Sequence, residues 1–94
     1  MVSDGSAKIL IEKTPNPNAV KFTLDREYFE QRENYLSKAE AEKSPLAEKL
    51  FQIVGVVSVF CLNNFIAVNK DSDASWDEII PTVKDFLEKF FAST

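Results

Sequence analysis

The chain has 94 residues, of which 45% are hydrophobic and 12% aromatic, and this size and composition fit one folded domain (residues 1–94) around a single core. The net charge of −4 argues against nucleic-acid binding, which usually needs a concentrated basic surface, and against attraction to anionic membranes. With no histidine and one cysteine, Cys61, the chain offers no histidine-based catalytic site, no internal disulfide and no zinc site with several nitrogen or sulfur ligands.

The sequence also argues against a transmembrane helix and a signal peptide. The apolar runs are short, and none approaches the length of a transmembrane helix. Met1–Gly5 has neither the basic region nor the apolar centre of a signal peptide. We therefore expect a cytoplasmic protein, and we expect the small and polar residues 1–7 to be disordered.

Two strands are predicted at the start of the chain. Lys8–Lys13 is short and β-rich, and Ala19–Leu24 alternates apolar and polar residues as a half-buried strand does. Thr14–Asn18 separates them, and its two prolines forbid regular structure.

The segment Arg26–Lys43 is ambiguous, because half of its residues are charged. It fits a surface helix, or a loop with a short edge strand near Asn34–Leu36, and we favour the loop and strand. Ser37–Glu40 has the spacing of a capping box, which indicates that a helical turn begins there.

A clearer helix begins at Ser44-Pro45, since serine caps helices and proline suits the first helical position. Its predicted apolar stripe contains Leu46, Ala47, Leu50, Phe51 and Val54, and Gly55 is predicted to end it.

The last part of the chain predicts a hairpin and a helix. Val56–Cys61 and Phe65–Lys70 pair around a turn at Asn63-Asn64. Ser75 opens the final helix, whose apolar stripe is Trp76, Ile79, Ile80, Val83, Leu87 and Phe90. The order ββ, variable segment, αββα predicts an α+β two-layer sandwich, with two helices on one face of a mainly antiparallel sheet.

A two-residue turn fixes which hairpin residues share a face. The predicted inner pairs are Cys61 with Ile66, Val59 with Val68, and Val57 with Lys70; the outer pairs are Leu62 with Phe65, Phe60 with Ala67, and Ser58 with Asn69. Lys8, Leu10, Glu12, Lys21 and Thr23 are assigned to the same outer face.

This register predicts a candidate partner-binding surface of outward apolar side chains, namely Leu10, Phe60, Leu62 and Phe65. Two alternatives stay open. The Arg26–Lys43 segment folds over these residues, or they are scattered singly across the surface.

The Thr14–Asn18 loop is a second candidate. Thr14, Asn16 and Asn18 are candidate recognition residues, because a stiff prolyl loop loses little entropy on binding. The alternative is a rigid turn that only connects two strands.

Cys61 and the acidic residues have simpler interpretations. A free cysteine is commonly a small buried hydrophobe, and a metal or redox role is the alternative. Asp71, Asp73, Asp77 and Glu78 cluster near the start of the last helix, where they complement the helix dipole; a hard-cation site is the alternative, although no calcium-loop spacing is present.

Four blocks of the sequence form a recognisable series: Thr14–Phe22 (TPNPNAVKF), the SPLA-containing block of residues 44–56, the hairpin residues 58–60 and 65–70, and the helix positions Trp76, Ile79, Pro81 and Val83. In this order and spacing they resemble the N-terminal domain of the NifU/Nfu family. The resemblance implies the α+β fold and a role in iron–sulfur cluster assembly or delivery.

The sequence departs from the family pattern in two ways. Full-length members carry a second domain whose Cys-x-x-Cys pair holds the cluster, whereas this sequence has no such pair and is expected to stand alone. The family often has Phe-Gly where this chain has Cys61-Leu62.

The resemblance therefore implies a non-catalytic protein-binding or accessory module, expected to be monomeric and to hold no cofactor by itself. Its expected partner is an iron–sulfur scaffold, a carrier or an apo-target, which links it to clusters indirectly. The alternative is direct binding of iron or an iron–sulfur cluster through Cys61 across a dimer. A small enzyme is a third hypothesis, for which the sequence shows no nucleophile–base pair.

Overall fold

The computed structural model describes residues 9–92, and within this range five strands form one antiparallel sheet that three helices cover on one face. In chain order the elements are β1 (Ile9–Lys13), β2 (Ala19–Leu24), β3 (Phe29–Tyr35), α1 (Lys38–Ala41), α2 (Pro45–Phe51), β4 (Val56–Asn63), β5 (Phe65–Lys70) and α3 (Trp76–Ala92). The predicted α+β sandwich is confirmed. The expectations for residues 1–7 and for Lys8 lie outside the described residues.

The sheet has the order β1-β2-β5-β4-β3, which leaves β1 and β3 as its edges. Alternation places one apolar row of each strand against the helices. The buried sheet residues include Val20, Phe22, Leu24, Val59, Cys61, Ile66 and Val68, and they meet Leu46, Leu50, Ile79, Val83, Leu87 and Phe91 of the helices. In residues 9–92 no helix is long and apolar enough to cross a membrane.

The β4–β5 hairpin confirms most of the predicted register. Cys61 pairs with Ile66 and Val59 with Val68 on the inner face, and Asn63 adopts a left-handed conformation (φ 52°) at the turn. The predicted pairing of Val57 with Lys70 is wrong.

A β-bulge causes this difference. Val56 pairs with Lys70 and Ser58 with Asn69, so Val57 is the extra residue on β4, and its side chain is 45% exposed. Either of the two adjacent valines could face the core, and the bulge buries Val56 in place of Val57.

The predicted end of the second helix is also wrong. The helix stops at Phe51, because the N–H of Gln52 donates to the Lys49 carbonyl and the N–H of Ile53 donates to the Leu50 carbonyl, which tightens the last turn. Val54 is therefore 92% exposed instead of part of the buried stripe.

The charged segment is more ordered than predicted. β3 runs over Phe29–Tyr35, so an edge strand exists but begins earlier than the expected Asn34–Leu36, and Leu36 lies outside it. Its register to β4 breaks between Phe29 and Glu33. The three residues between them are polar and exposed, so no alternation of apolar and polar residues marks the strand in the sequence.

The predicted helical turn after β3 is confirmed. The Ser37 hydroxyl accepts from the Glu40 N–H at 3.2 Å, and the Glu40 carboxylate accepts from the Leu36 N–H at 3.0 Å. Ala41 of this turn is buried in the core, so α1 lies on the helix side of the sheet. Residues 29–41 thus extend the sheet and the helix layer and do not fold over the outer face.

Candidate protein-binding surfaces

Three apolar side chains lie together on the sheet face opposite the helices. The Phe60 and Phe65 rings have centroids 6.0 Å apart, and Leu62 is directly opposite Phe65 in the hairpin. All three are half-buried, and none belongs to the core cluster. We call Phe60, Leu62 and Phe65 the outer patch.

A lysine borders the outer patch. The Lys21 ammonium nitrogen lies 4.5 Å from the centroid of the Phe65 ring, within the range of a cation–π contact. Lys21 is also directly opposite Glu12, but the Glu12 carboxylate accepts from the Thr23 hydroxyl at 3.0 Å. The outer patch therefore combines aromatic surface with a positive charge.

Leu10 is on the same face but does not join the patch. It pairs with Thr23, which in turn pairs with Phe65, so a polar residue of β2 separates the two apolar side chains. Leu10 is 59% exposed on the edge strand β1.

The side chains of Thr14 and Asn16 form hydrogen bonds within the loop and to the first residue of β2. The Thr14 hydroxyl is 2.9 Å from the Asn16 carbonyl oxygen and 3.0 Å from that of Ala19, and it accepts from the Asn16 N–H at 3.1 Å. The Asn16 side-chain oxygen accepts from the Asn18 N–H at 2.9 Å. These bonds fix the turn, as the rigid-turn interpretation expects.

Two long-range hydrogen bonds tie the loop to the helix side. Lys70 is only 9% exposed, and its ammonium donates to the Asn18 side-chain oxygen at 3.1 Å and to the Asp71 carbonyl oxygen at 3.2 Å. The Trp76 indole N–H donates to the Pro17 carbonyl oxygen at 2.9 Å. The sequence carried signals for both, since an inward lysine and a packed indole each need a polar partner.

The two sequence-predicted candidates are therefore separate surfaces. The loop adjoins Ala19, while the outer patch adjoins Thr23, and four residues of extended strand span roughly 13 Å. The structure brings Phe60, Leu62 and Phe65 together, and it holds Thr14, Asn16 and Asn18 at the other end of β2.

A groove of about 520 Å³ opens between the loop, β1 and the first turns of α3. Its apolar lining includes Ile11, Trp76 and Ile80, and Lys13 and Asp77 also line it. Thr14 and Asn16 contribute to the wall on the loop side. Residues that shape the loop thus also shape a concave surface.

Cys61 is fully buried beneath the helices. Burial, with a smaller contribution from the charge of Glu33, raises the pKa of its thiol to about 12. The thiolate is the form that binds metals and attacks disulfides, so this cysteine is held in its unreactive form. Within residues 9–92, no three His, Cys, Asp or Glu side chains come together as a metal-binding group.

The comparisons with known proteins agree with this architecture. The family profile described as "Scaffold protein Nfu/NifU N terminal" matches residues 9–94. The chain is 39% identical over 87 residues to the Homo sapiens protein "NFU1 iron-sulfur cluster scaffold homolog, mitochondrial", a match that covers 90% of this chain and 34% of that protein.

Two solved structures share the fold. The solution structure of a NifU-like protein from Saccharomyces cerevisiae has a TM-score of 0.85 and 29% identity, covering 100% of this chain and 86% of that one. The crystal structure of a Staphylococcus aureus protein has a TM-score of 0.74 and 31% identity, covering 86% of this chain and 99% of that one.

The match to curated relatives is confined to one part of them. The chain spans about a third of the length of the human relative and of a Drosophila willistoni relative, at 34% and 30%. The chain belongs to the Nfu/NifU N-terminal family of scaffold proteins.

Proposed function

We propose that this chain is a non-catalytic protein-binding module in iron–sulfur cluster assembly or delivery, and that it binds an iron–sulfur scaffold, a carrier or an apo-target through the outer patch. The family connects the chain to iron–sulfur cluster biology. The observation that carries the proposal is the half-exposed Phe60–Phe65 pair on a sheet face that no described element covers.

The chemistry of the patch suits protein association. Aromatic side chains bury large areas with few rotatable bonds, and they are enriched at interface centres. Lys21 over the Phe65 ring adds a charge that a partner carboxylate can meet. The patch would position a partner, and no bond would be made or broken.

The buried thiol gives no support to the alternative of direct cluster binding. Two copies of Cys61 would have to leave the core before they met at a shared metal. In our proposal the cluster is cargo that passes between other proteins. The cytoplasmic location and the monomeric state stay predictions.

Affinity capture from native lysate tests the proposal. The tagged chain should recover iron–sulfur proteins, and Phe60→Ala should lower that recovery at least about tenfold while the circular dichroism spectrum is unchanged. Val54→Ala is the matched control, since Val54 is exposed and lies outside the patch. Equal recovery by the folded Phe60→Ala chain would refute docking through this face.

A reconstitution experiment distinguishes direct cluster binding through Cys61 from the proposed function. Incubation with iron and sulfide should leave the purified chain without visible absorption, and Cys61→Ser should have the same low iron content. Stoichiometric iron that depends on Cys61 would establish direct binding.

A further inference from the structure

The two edges of the sheet differ in how well they are protected from further pairing. On β3 the register to β4 breaks, and the strand carries Glu30, Arg32 and Glu33. Charges and irregular register are the usual means by which proteins block edge-to-edge association. β3 is therefore a poor template for another strand.

β1 has the opposite character. Ile9, Leu10 and Ile11 are three consecutive apolar residues, and every residue from Ile9 to Lys13 pairs in regular register with β2. Within residues 9–92, no strand pairs with its other side. A regular apolar edge presents a row of main-chain donors and acceptors that an extended peptide can satisfy.

The surroundings of β1 supply places for alternate side chains of such a peptide. On the outer face, Leu10 is 59% exposed and would pack against a side chain of the bound peptide. On the helix side, the groove begins at Ile11 and continues to Trp76 and Ile80. An added strand would point its side chains alternately toward these two apolar sites.

We propose that β1 accepts an extended peptide segment of a protein partner as a sixth strand, with an apolar side chain of that segment in the groove between the Thr14–Asn18 loop and α3. The inference rests on the proposed role of the chain as a protein-binding module, not on the outer patch, and it specifies the form of the partner's docking segment. Partner binding at the outer patch and strand addition at β1 occupy different surfaces of the same domain.

The charges at the end of β1 define which peptide sequence should bind best. Glu12 is on the outer face, and Lys13 lines the groove. Opposite charges that face each other across a strand pair are favourable. The segment should therefore carry a basic residue opposite Glu12 and an acidic residue opposite Lys13, followed by apolar residues opposite Ile11, Leu10 and Ile9.

The probe is an acetylated and amidated peptide, Thr-Glu-Lys-Val-Leu-Val-Thr, which meets these requirements in antiparallel register. Trp76 is the chain's only tryptophan and lines the groove, so its emission reports occupancy. We expect a saturable blue shift on titration and slower hydrogen exchange of β1 amides. A shuffled peptide of the same composition is the control, and equal shifts from both peptides would overturn the proposal.

Backbone methylation tests the pairing itself. Only alternate N–H groups of an added antiparallel strand face β1. Peptides methylated on one alternate set of nitrogens should bind at least about tenfold more weakly, while the other set should keep most of the affinity. Equal affinities of the two sets would contradict strand addition.

Variants of the chain separate this inference from the proposed function. Leu10→Lys places a protecting charge on the edge and should abolish the blue shift, whereas Val54→Lys should not. Phe60→Ala should leave the blue shift intact while it lowers partner capture. If the peptide fails to bind the wild-type chain while capture still depends on Phe60, the edge inference is wrong and the proposed function stands.

Two further outcomes are decisive. If capture does not depend on Phe60 but the peptide shifts Trp76 emission, the outer-patch proposal fails and the edge site stands. If the chain alone sediments as a dimer with protected β1 amides and does not bind the peptide, the occupant of β1 is a second copy, and the proposal is overturned.

Discussion

The indole N–H of Trp76 donates to the carbonyl oxygen of Pro17 at 2.9 Å, although the two residues are 59 positions apart in sequence. This bond connects the first residue of α3 to the prolyl loop that follows β1. The Lys70–Asn18 bond lies beside it and connects the same loop to the end of β5. The loop is thus anchored at two points to the helix side of the sheet.

Trp76→Phe should loosen the loop without disrupting the sheet. The substitution keeps an aromatic ring but removes the donor to Pro17, and we expect a loss of about 0.5–1.5 kcal/mol in the free energy of unfolding. Hydrogen exchange should become faster at the Ala19 amide, which bonds to the Asn16 carbonyl, and stay unchanged at Ile66. Uniform acceleration at both amides would show that the bond does not act locally.

Asn18→Ala should destabilise the chain by about 1–3 kcal/mol, because it removes an acceptor from the buried Lys70 ammonium. Urea unfolding measures this loss, and Asn34→Ala is the control, since Asn34 is exposed on β3. In a Lys70→Met background the cost of Asn18→Ala should shrink. An equal cost in both backgrounds would show that the two side chains are not coupled.

Gly55→Ala should be among the most damaging single-methyl additions. Gly55 has φ of 101°, a conformation that L side chains rarely adopt, and an added Cβ would lie 2.7 Å from the Ala74 Cβ and 3.0 Å from the Ile79 Cδ1. Backbone strain alone costs about 1–3 kcal/mol, and the contact with Ala74 adds to it. Thermal unfolding should show this loss, whereas Gln52→Ala at an exposed position should change stability by less than about 0.5 kcal/mol.

Cys61 should make stability depend on pH in the alkaline range. Its pKa rises from an ordinary 9.0 to about 12, so the folded chain keeps the thiol protonated where the unfolded chain loses the proton. The stabilising contribution is therefore complete below pH 9 and is lost as pH rises toward 12, at up to about 1.4 kcal/mol per pH unit.

Comparison with Cys61→Val isolates this contribution, because every other titrating group is shared. With a reductant present, the difference in unfolding free energy between the two chains should be constant between pH 7.5 and 8.5. At pH 10 the wild type should have lost stability relative to Cys61→Val. A difference that is independent of pH up to 10 would mean that the thiol is accessible to solvent in the folded chain.

Much of the sheet was predictable from period-two alternation. β2 alternates without interruption, and the Asn63-Asn64 turn sets the hairpin register from Leu62 to Val59. The position of the bulge was not predictable, because Val56 and Val57 are equally apolar and either could face the core. Only the pairing of Val56 with Lys70 and of Ser58 with Asn69 shows that Val57 is the extra residue. Sequence periodicity cannot locate an extra residue whose alternatives are equally apolar.

The candidate site was predictable residue by residue but not as a grouping. Alternation correctly assigned Phe60, Leu62 and Phe65 to the outer face. It could not separate them from the Thr14–Asn18 loop, because that separation depends on the pairing of β2 with β5, which places Ala19 opposite Asn69 and Thr23 opposite Phe65. The groove was not predicted at all, since it forms only where residues 11–20 meet the first turns of α3, far along the chain.

Quantitative capture with the Phe60→Ala chain tests the central claim most directly. Tagged wild type, Phe60→Ala and Val54→Ala would be compared at equal concentration in the same lysate, and recovered iron–sulfur proteins would be quantified by mass spectrometry. Recovery should fall at least about tenfold for Phe60→Ala and stay at the wild-type level for Val54→Ala. Wild-type recovery by a folded Phe60→Ala chain would contradict the account.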